Sequence, residues 1–464
     1  MEDGLLSLFT CLSKDPLIIV EQKEIFMKKR HSAQSILTFS LLFLLFFFIP
    51  QQADASEGDV EFAVDVSAAI AIDADTGKIF YAQNAEEALP IASTTKLLTM
   101  YLILEAIDNG SLSWDEEIII SKHLEELSHN INLSNVFLFE NYAYSVRDLF
   151  IATEKVSANA AAVALAERIA GSEPAFVELM RAKLNSWGIR SGYIISASGI
   201  NNDDALGQIF PGSQPGEENL MSARDLSIVA YHLIKDFPEI LDYTSKKSEI
   251  FAAETEFETL LVGTNQLLED QKFYKEGVDG LKTGTTELAG TCFVGTIAKE
   301  DRRVITVVLN VETFEEDSGK RFIETGRLMD HALNDWEYAL VYPKNSPIPS
   351  LDDVIVKNSI QETASLRLKD DIFMWVNKKQ PGDLSLRFEP EASGTDIDGN
   401  LQAPIAKDEY IGNIIIESPS HSMDTVFFAG QTLTAAVYAD QDIEVLPWYL
   451  KVWQSIQNFF DNLF

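Results

Sequence analysis

At 464 residues, with 46% apolar and 23% charged residues, the chain has a globular composition and the length for two or three domains. Its 36 Lys and Arg face 72 Asp and Glu, a formal charge of −36 that repels phosphate backbones and argues against a nucleic-acid partner. Neither figure selects a fold.

The first 55 residues read as a targeting segment. Met27-Lys28-Lys29-Arg30-His31 is a basic n-region, Ile36 to Ile49 is an almost unbroken apolar run, and Ala53-Asp54-Ala55 has the small-x-small pattern of a cleavage site. The run is shorter than the ~20 residues of a spanning helix, although an uncleaved anchor is the competing reading. Residues 1–26 precede a better start at Met27, so 1–55 are set aside and an exported protein is expected. Without Cys11, Cys292 stands alone in an apolar run and reads as a small buried hydrophobe. The six His residues show no metal-ligand spacing, so a metal site is not expected.

Ser67 to Tyr81 predicts two short strands around Asp75-Thr76-Gly77-Lys78. A helix follows, capped by Ser93, with Leu97, Leu98, Tyr101, Leu102 and Ala106 on its apolar face. Asn159 to Ala170 is an Ala-rich helix ending at Gly171, and another runs from Ala223 to Lys235. Thr291–Ala298 and Val304–Val311 flank a charged turn as a hairpin. Strands at both ends with helices between them predict an α/β layer whose sheet joins distant segments. From Tyr342-Pro343-Lys344 to Asp440 only short strands recur, at Val354–Val356, Ser365–Leu368, Ile372–Val376, Leu384–Phe388, Ile411–Ile416 and Thr432–Tyr438. That texture predicts a small β-sandwich. Val445 to Phe464 carries Tyr449, Val452, Trp453, Ile456, Phe459 and Phe460 at helical steps, an amphipathic stripe suited to a membrane surface or to docking on its own domain.

Three motifs carry chemistry. Ser93-Thr94-Thr95-Lys96 is a Ser-x-x-Lys, a pairing that arises about twice by chance in a chain this long, but it falls at a helix start. A serine hydroxyl needs an adjacent base, and a desolvated Lys96 one turn away can lose enough proton affinity to serve. The bland alternative is an N-cap with a surface lysine. Lys282-Thr283-Gly284, followed by Thr285, leads into the hairpin and offers a cation and a hydroxyl to a carboxylate, with a backbone N–H for an oxyanion. The alternative there is a glycine turn beside a solvated lysine. Ser-x-Asn occurs at Ser128-His129-Asn130 and Ser157-Ala158-Asn159; the second, opening the Ala-rich helix, is preferred over the first, which reads as a loop.

In that order, the three motifs resemble the penicillin-binding protein and β-lactamase superfamily. Their contexts, together with Ala197-Ser198-Gly199-Ile200-Asn201, Met221-Ser222-Ala223-Arg224-Asp225-Leu226 and Gly263-Thr264-Asn265-Gln266-Leu267-Leu268, are similar to the low-molecular-mass D-alanyl-D-alanine carboxypeptidases over roughly 64–340. The resemblance implies a transpeptidase-like catalytic domain (56–340), an antiparallel sheet flanked by helices, then a β-sandwich (341–440) and a membrane-anchoring helix (441–464). It implies that Ser93 attacks the carbonyl between two terminal D-alanines of a peptidoglycan pentapeptide stem while Lys96 takes its proton. Ser157 and Asn159 would shuttle a proton and hold a substrate amide. The N–H groups of Ser93 and Thr285 would form the oxyanion hole, Lys282 and Thr283 would meet the terminal carboxylate beside Gly284, and Arg321 would assist. β-Lactams would acylate Ser93, no cofactor is implied, and the enzyme would work outside the cytoplasmic membrane. Thr285 departs from the His or Tyr usual at that position. The rivals are a D,D-transpeptidase, a β-lactamase, for which the Glu-x-x-Leu-Asn loop is missing (Arg181-Ala182-Lys183-Leu184-Asn185 comes nearest), and a non-catalytic wall-binding protein.

Overall fold

The computed structural model describes residues 62–311, 319–348, 351, 354–379, 385–417, 425–427 and 433–461. The expected leader and Cys11 lie outside the described residues, as do Leu384 and Thr432.

Five antiparallel strands form the main sheet: β1 (Ala68–Asp73), β2 (Ile79–Gln83), β3 (Val278–Thr286), β4 (Gly290–Lys299) and β5 (Arg302–Val311), in the order β2-β1-β5-β4-β3. The expected hairpin is β4–β5, and β1 adds to it from more than 200 residues away, pairing Ala68 with Leu309 and Asp73 with Val304. All six residues of β1 are buried. A strand without alternation needs cover on both faces. Helices α6 (Ala223–Asp236) and α8 (Lys320–Asn334) both pack against β1 and β5.

The other helices form the second half of this unit: α1 (Lys96–Asp108), α2 (Lys122–Ser128), α3 (Val146–Lys155), α4 (Asn159–Ala170), α5 (Glu173–Ser186) and α7 (Ile240–Thr244). Helix α1 is buried on nearly every side, because Leu97 to Leu104 offer no polar face and α3, α4, α5 and α6 surround it. The alanines of α4 let it pack closely against α1, α3 and α5. One apolar core unites these helices with the sheet.

Strand β6 (Trp336–Tyr342) carries the chain through the position where the sequence texture changes and pairs with β10 (Ile372–Asn377). Strands β7 (Val354–Lys357), β8 (Thr363–Ala364) and β12 (Leu401–Gln402) make a small sheet ordered β8-β7-β12. Strands β9 (Leu366–Leu368), β11 (Ser385–Pro390), β13 (Tyr410–Glu417) and β14 (Leu433–Ala439) make another, ordered β9-β14-β13-β11. Both line a second apolar core of Ile, Leu, Val and Ala. Helix α9 (Trp448–Asp461) closes the described chain. It starts three residues later than the apolar stripe predicts, because Val445 bridges to Ser359 and Leu446 N–H donates to the Asn358 carbonyl.

Candidate active site

The expected N-cap at Ser93 is replaced by a 3-10 turn over Ala92–Thr95, with α1 starting at Lys96 and no side-chain cap at either junction. Other groups pin the turn. Thr94 Oγ1 donates to the Ile91 carbonyl at 2.6 Å, and Asn219 Nδ2 donates to Thr95 Oγ1 at 3.0 Å. The Ser93 hydroxyl is therefore not consumed as a cap, and its spacing to Lys96 brings Lys96 Nζ to 2.9 Å from Ser93 Oγ.

Lys96 is fully buried. Its Nζ also donates to Asn159 Oδ1 at 2.7 Å and to the Ser198 carbonyl at 2.6 Å. Burial, reinforced by the Lys282 cation and opposed by Glu173, holds its ammonium well below the ordinary lysine value. A neutral amine has two N–H donors and one lone pair. Asn159 and Ser198 take the two donors, which leaves the lone pair for the Ser93 hydroxyl proton.

The second motif lies on β3, the terminal strand of the main sheet, packed against the 3-10 turn. Gly284 makes that approach feasible, since a Cβ there would stand 2.9 Å from the Ile91 carbonyl oxygen and 3.1 Å from Thr94 N. Lys282 is buried, and its Nζ donates to the Thr283 carbonyl at 3.2 Å. Burial lowers its pKa to about 8, against the pull of Glu154, with the Arg321 cation adding to the lowering. Thr283 Oγ1 lies 2.6 Å from Thr264 Oγ1. Arg321, on α8, donates from Nη1 to the Gly284 carbonyl at 3.1 Å and to Thr285 Oγ1 at 3.0 Å. Turn, α1, α4, β3 and α8 thus meet at one cleft, with Lys282 close enough to lower the proton affinity of Lys96.

Asn159 is drawn into this cleft by Lys96, while its backbone N–H and Nδ2 both donate to the Ser134 carbonyl. Ser157 sits at φ 61°, and its buried Oγ has no hydrogen-bond partner among the described residues. The rejected Ser128 ends α2 rather than sitting in a loop, and its hydroxyl is spent on Glu125 and Leu138. Cys292 lies fully buried on β4, opposite Gly284 of β3, its thiol pushed up to about 11 by burial, as a small core residue should be.

Residues 52–313 match the D-alanyl-D-alanine carboxypeptidase family. The chain belongs to that family. It is a serine-type D-Ala-D-Ala carboxypeptidase, a hydrolase. It is 29% identical over 357 residues to a D-alanyl-D-alanine carboxypeptidase of Bacillus subtilis, covering 77% of this chain and 82% of the relative. Among solved structures, a peptidoglycan synthesis regulatory factor from Streptococcus pneumoniae superposes with a TM-score of 0.62 at 35% identity, over 82% of this chain and all of its own. Penicillin binding protein 5 from Haemophilus influenzae gives 0.55 at 25%, over 83% of this chain and 100% of its own. These likenesses extend past the catalytic motifs into the β-rich region, as the expected fold class requires.

Several residues around this candidate site carry no signal in the sequence that assigns them a role. Thr264 lies inside a segment quoted for the resemblance, and only its contact with Thr283 singles it out. The Ser198 carbonyl is backbone and has no signature of its own. Glu173 and Glu154 are buried or half-buried carboxylates that act on Lys96 and Lys282 across the fold. No local pattern marks them.

Proposed function

We propose that this carboxypeptidase removes the terminal D-alanine from peptidoglycan pentapeptide stems through an acyl-enzyme on Ser93. The observation that carries the reading is the buried Lys96 amine, 2.9 Å from Ser93 Oγ with its other partners already supplied. Ser93 Oγ bonds to the carbonyl carbon between the two D-alanines as its proton passes to Lys96. The N–H groups of Ser93 and Thr285 stabilise the oxyanion, aligned because β3 lies against the turn. The C–N bond then breaks, and the leaving amine takes a proton relayed through Ser157, whose hydroxyl has no competing partner among the described residues. Asn159 orients Lys96 and a substrate amide. Lys282 and Thr283 receive the terminal carboxylate, and Arg321 steadies β3 from behind. Water attacks the acyl carbon, with Lys96 again as base, and frees Ser93.

β-Lactams fit the same route as substrate mimics. Labelling with a fluorescent penicillin, together with D-alanine release from a pentapeptide, tests the proposal. Release without cross-linked product is expected; label that survives Ser93→Ala would overturn it. A transpeptidase would instead join the acyl group to a second peptide amine.

The division into a catalytic part up to about residue 340, a β-rich part and a terminal helix fits the two separate apolar cores. The helix supports attachment to the outer face of the cytoplasmic membrane: Trp448, Trp453 and Phe459 are all more than half exposed. No helix among the described residues is long and apolar enough to cross a bilayer, so attachment would be interfacial. Because Ile443 and Leu446 are buried in the β-rich part, the test is truncation after Pro447 rather than Asp440. The shortened protein should leave the membrane fraction with its penicillin labelling intact; retention there would count against the anchor.

A further inference from the structure

We propose that Glu173 is a positioning residue for the acylation step: it fixes the buried segment that presents the Ser198 carbonyl to Lys96 and sets a carboxylate against the Lys282 cation at that amine. The inference rests on the Ser93–Lys96 reading.

Glu173 opens α5, where an acidic side chain ordinarily faces solvent and complements the helix N-terminus. Here its Oε1 instead accepts from Ala197 N–H at 2.8 Å, 24 residues along the chain. The segment from Ile194 to Ser198 is buried and belongs to no regular sheet, so its backbone groups need individual partners. Asn219 Oδ1 takes the N–H groups of Ile195 and Ser196 at 2.7 and 3.0 Å. Thr99 Oγ1 donates to the Ala197 carbonyl, and Lys96 Nζ donates to the Ser198 carbonyl. Arg181 Nε and Asn219 Nδ2 donate to the Ile194 and Ser196 carbonyls, and Glu173 takes the Ala197 N–H, one residue before the carbonyl that Lys96 uses. Gly199 ends the strap at φ +78°, where a Cβ would stand 2.0 Å from the Ala92 carbonyl oxygen, so the strap lies directly under the nucleophile turn.

The charges around Lys96 come from three elements. Lys282 on β3 lowers its proton affinity and Glu173 on α5 raises it, while Glu167 on α4 acts on Glu173 itself. Burial and Glu167 push the Glu173 carboxyl up to about 7. An anion at Glu173 makes Lys96 a stronger base, but one that must be deprotonated at higher pH before it can act.

Glu173→Gln separates the two contributions, because the amide oxygen can still accept from Ala197 N–H while the charge is gone. Acylation by a fluorescent penicillin is measured from pH 5 to 9 in the full chain. The acid limb of Glu173→Gln should move to lower pH by about half a unit, since Lys96 loses the anion that raises its pKa. Glu173→Ala, which loses anchor and charge, should acylate roughly tenfold more slowly at its optimum, with Gln restoring most of that loss. A Glu173→Gln profile that superimposes on wild type, or Glu173→Ala acylating at the wild-type rate, overturns the inference. Lys96→Ala keeps the two failures apart. If it still labels, the Ser93–Lys96 reading has failed; if it is silent while Glu173→Gln titrates like wild type, only the role of Glu173 has.

Discussion

The helical and five-stranded region and the β-rich region each enclose an apolar core, but they differ in what else they bury. The first holds Lys96, Lys155 and Lys282 at 1% exposure or less, along with Asn159, Glu154 and Asn219. In the second, from Ile348 onward, the buried residues among those described are apolar apart from Ser359. An ammonium taken out of water costs several kcal/mol unless it is partnered or gives up its proton. Lys155 has its partner in Glu154 at 2.8 Å, whereas Lys96 and Lys282 have no carboxylate partner within ion-pair distance among the described residues, which is where the proposed chemistry lies. The β-rich region carries its charges outside, as at Arg367 with Asp408 and Asp440, and reads as architecture.

The sharpest test of that contrast is loss of the proposed nucleophile. Ser93→Ala should abolish penicillin labelling and lower D-alanine release by a factor of about 10³ or more, while thermal stability stays near wild type. A thermal scan and a release assay on the same preparation check both halves. Lost stability at unchanged activity would invert the contrast.

Gly199→Ala comes next. The substitution places a methyl group against the Ala92 carbonyl at a backbone angle that L-residues disfavour. Conformation costs about 1–2 kcal/mol and overpacking about 1–3 kcal/mol more. Both the melting temperature and the acylation rate should fall, because relief of the clash has to move the turn carrying Ser93. A comparable substitution at Gly394 in the β-rich region, where a Cβ would meet nothing, should change neither.

The pH profile is a milder probe. Lys282 must be protonated to attract a carboxylate, and burial lowers its pKa to about 8. In the proposed mechanism Lys96 must be deprotonated to act as a base, and burial lowers its pKa as well, which favours the base form. kcat/KM should therefore fall about tenfold per unit above pH 8, as Lys282 loses its charge in the free enzyme. Bound carboxylate favours the ammonium, so the basic limb of kcat should lie at higher pH. Identical basic limbs in the two profiles would remove Lys282 from substrate binding.

Legibility in the sequence follows the same divide. Ser93 and Lys96 are three residues apart, and Lys282 to Thr285 are contiguous, so local geometry alone restricts what they can do. Strands β4 and β5 were readable because each is an apolar run beside a charged turn. The 3-10 turn was not, since Ser93 at a helix start has the signature of a cap, and only Asn219, 124 residues from Thr95, shows how the turn is held instead. Glu173 was hidden for a related reason: an acidic residue in a first helical turn is ordinary, and its partner Ala197 presents only backbone. Residues acting through long-range backbone contacts leave no spacing to read.

Val426 bridges the two regions and gives the smallest expected effect. It lies between β13 and β14 in sequence, yet it is buried in the first core. Its N–H donates to the Gly77 carbonyl at 2.9 Å, Arg224 donates to the Val426 carbonyl, and the Phe427 ring lies over Gly77 and 4.8 Å from that of Tyr231. The β-rich region thus reaches back to cover the β1–β2 turn and α6, away from Ser93. Val426→Ala removes most of a buried side chain, at a cost below the about 1.5–3 kcal/mol of full burial. Acylation should be unchanged, because none of these contacts touches Lys96 or β3. Calorimetry decides what the contact does. If it couples the regions, the variant should broaden or split a single unfolding transition, since the second core would no longer depend on the first. A transition that merely shifts downward without broadening would mean that Val426 only fills space, and that the two regions are joined elsewhere, through β6 and β10.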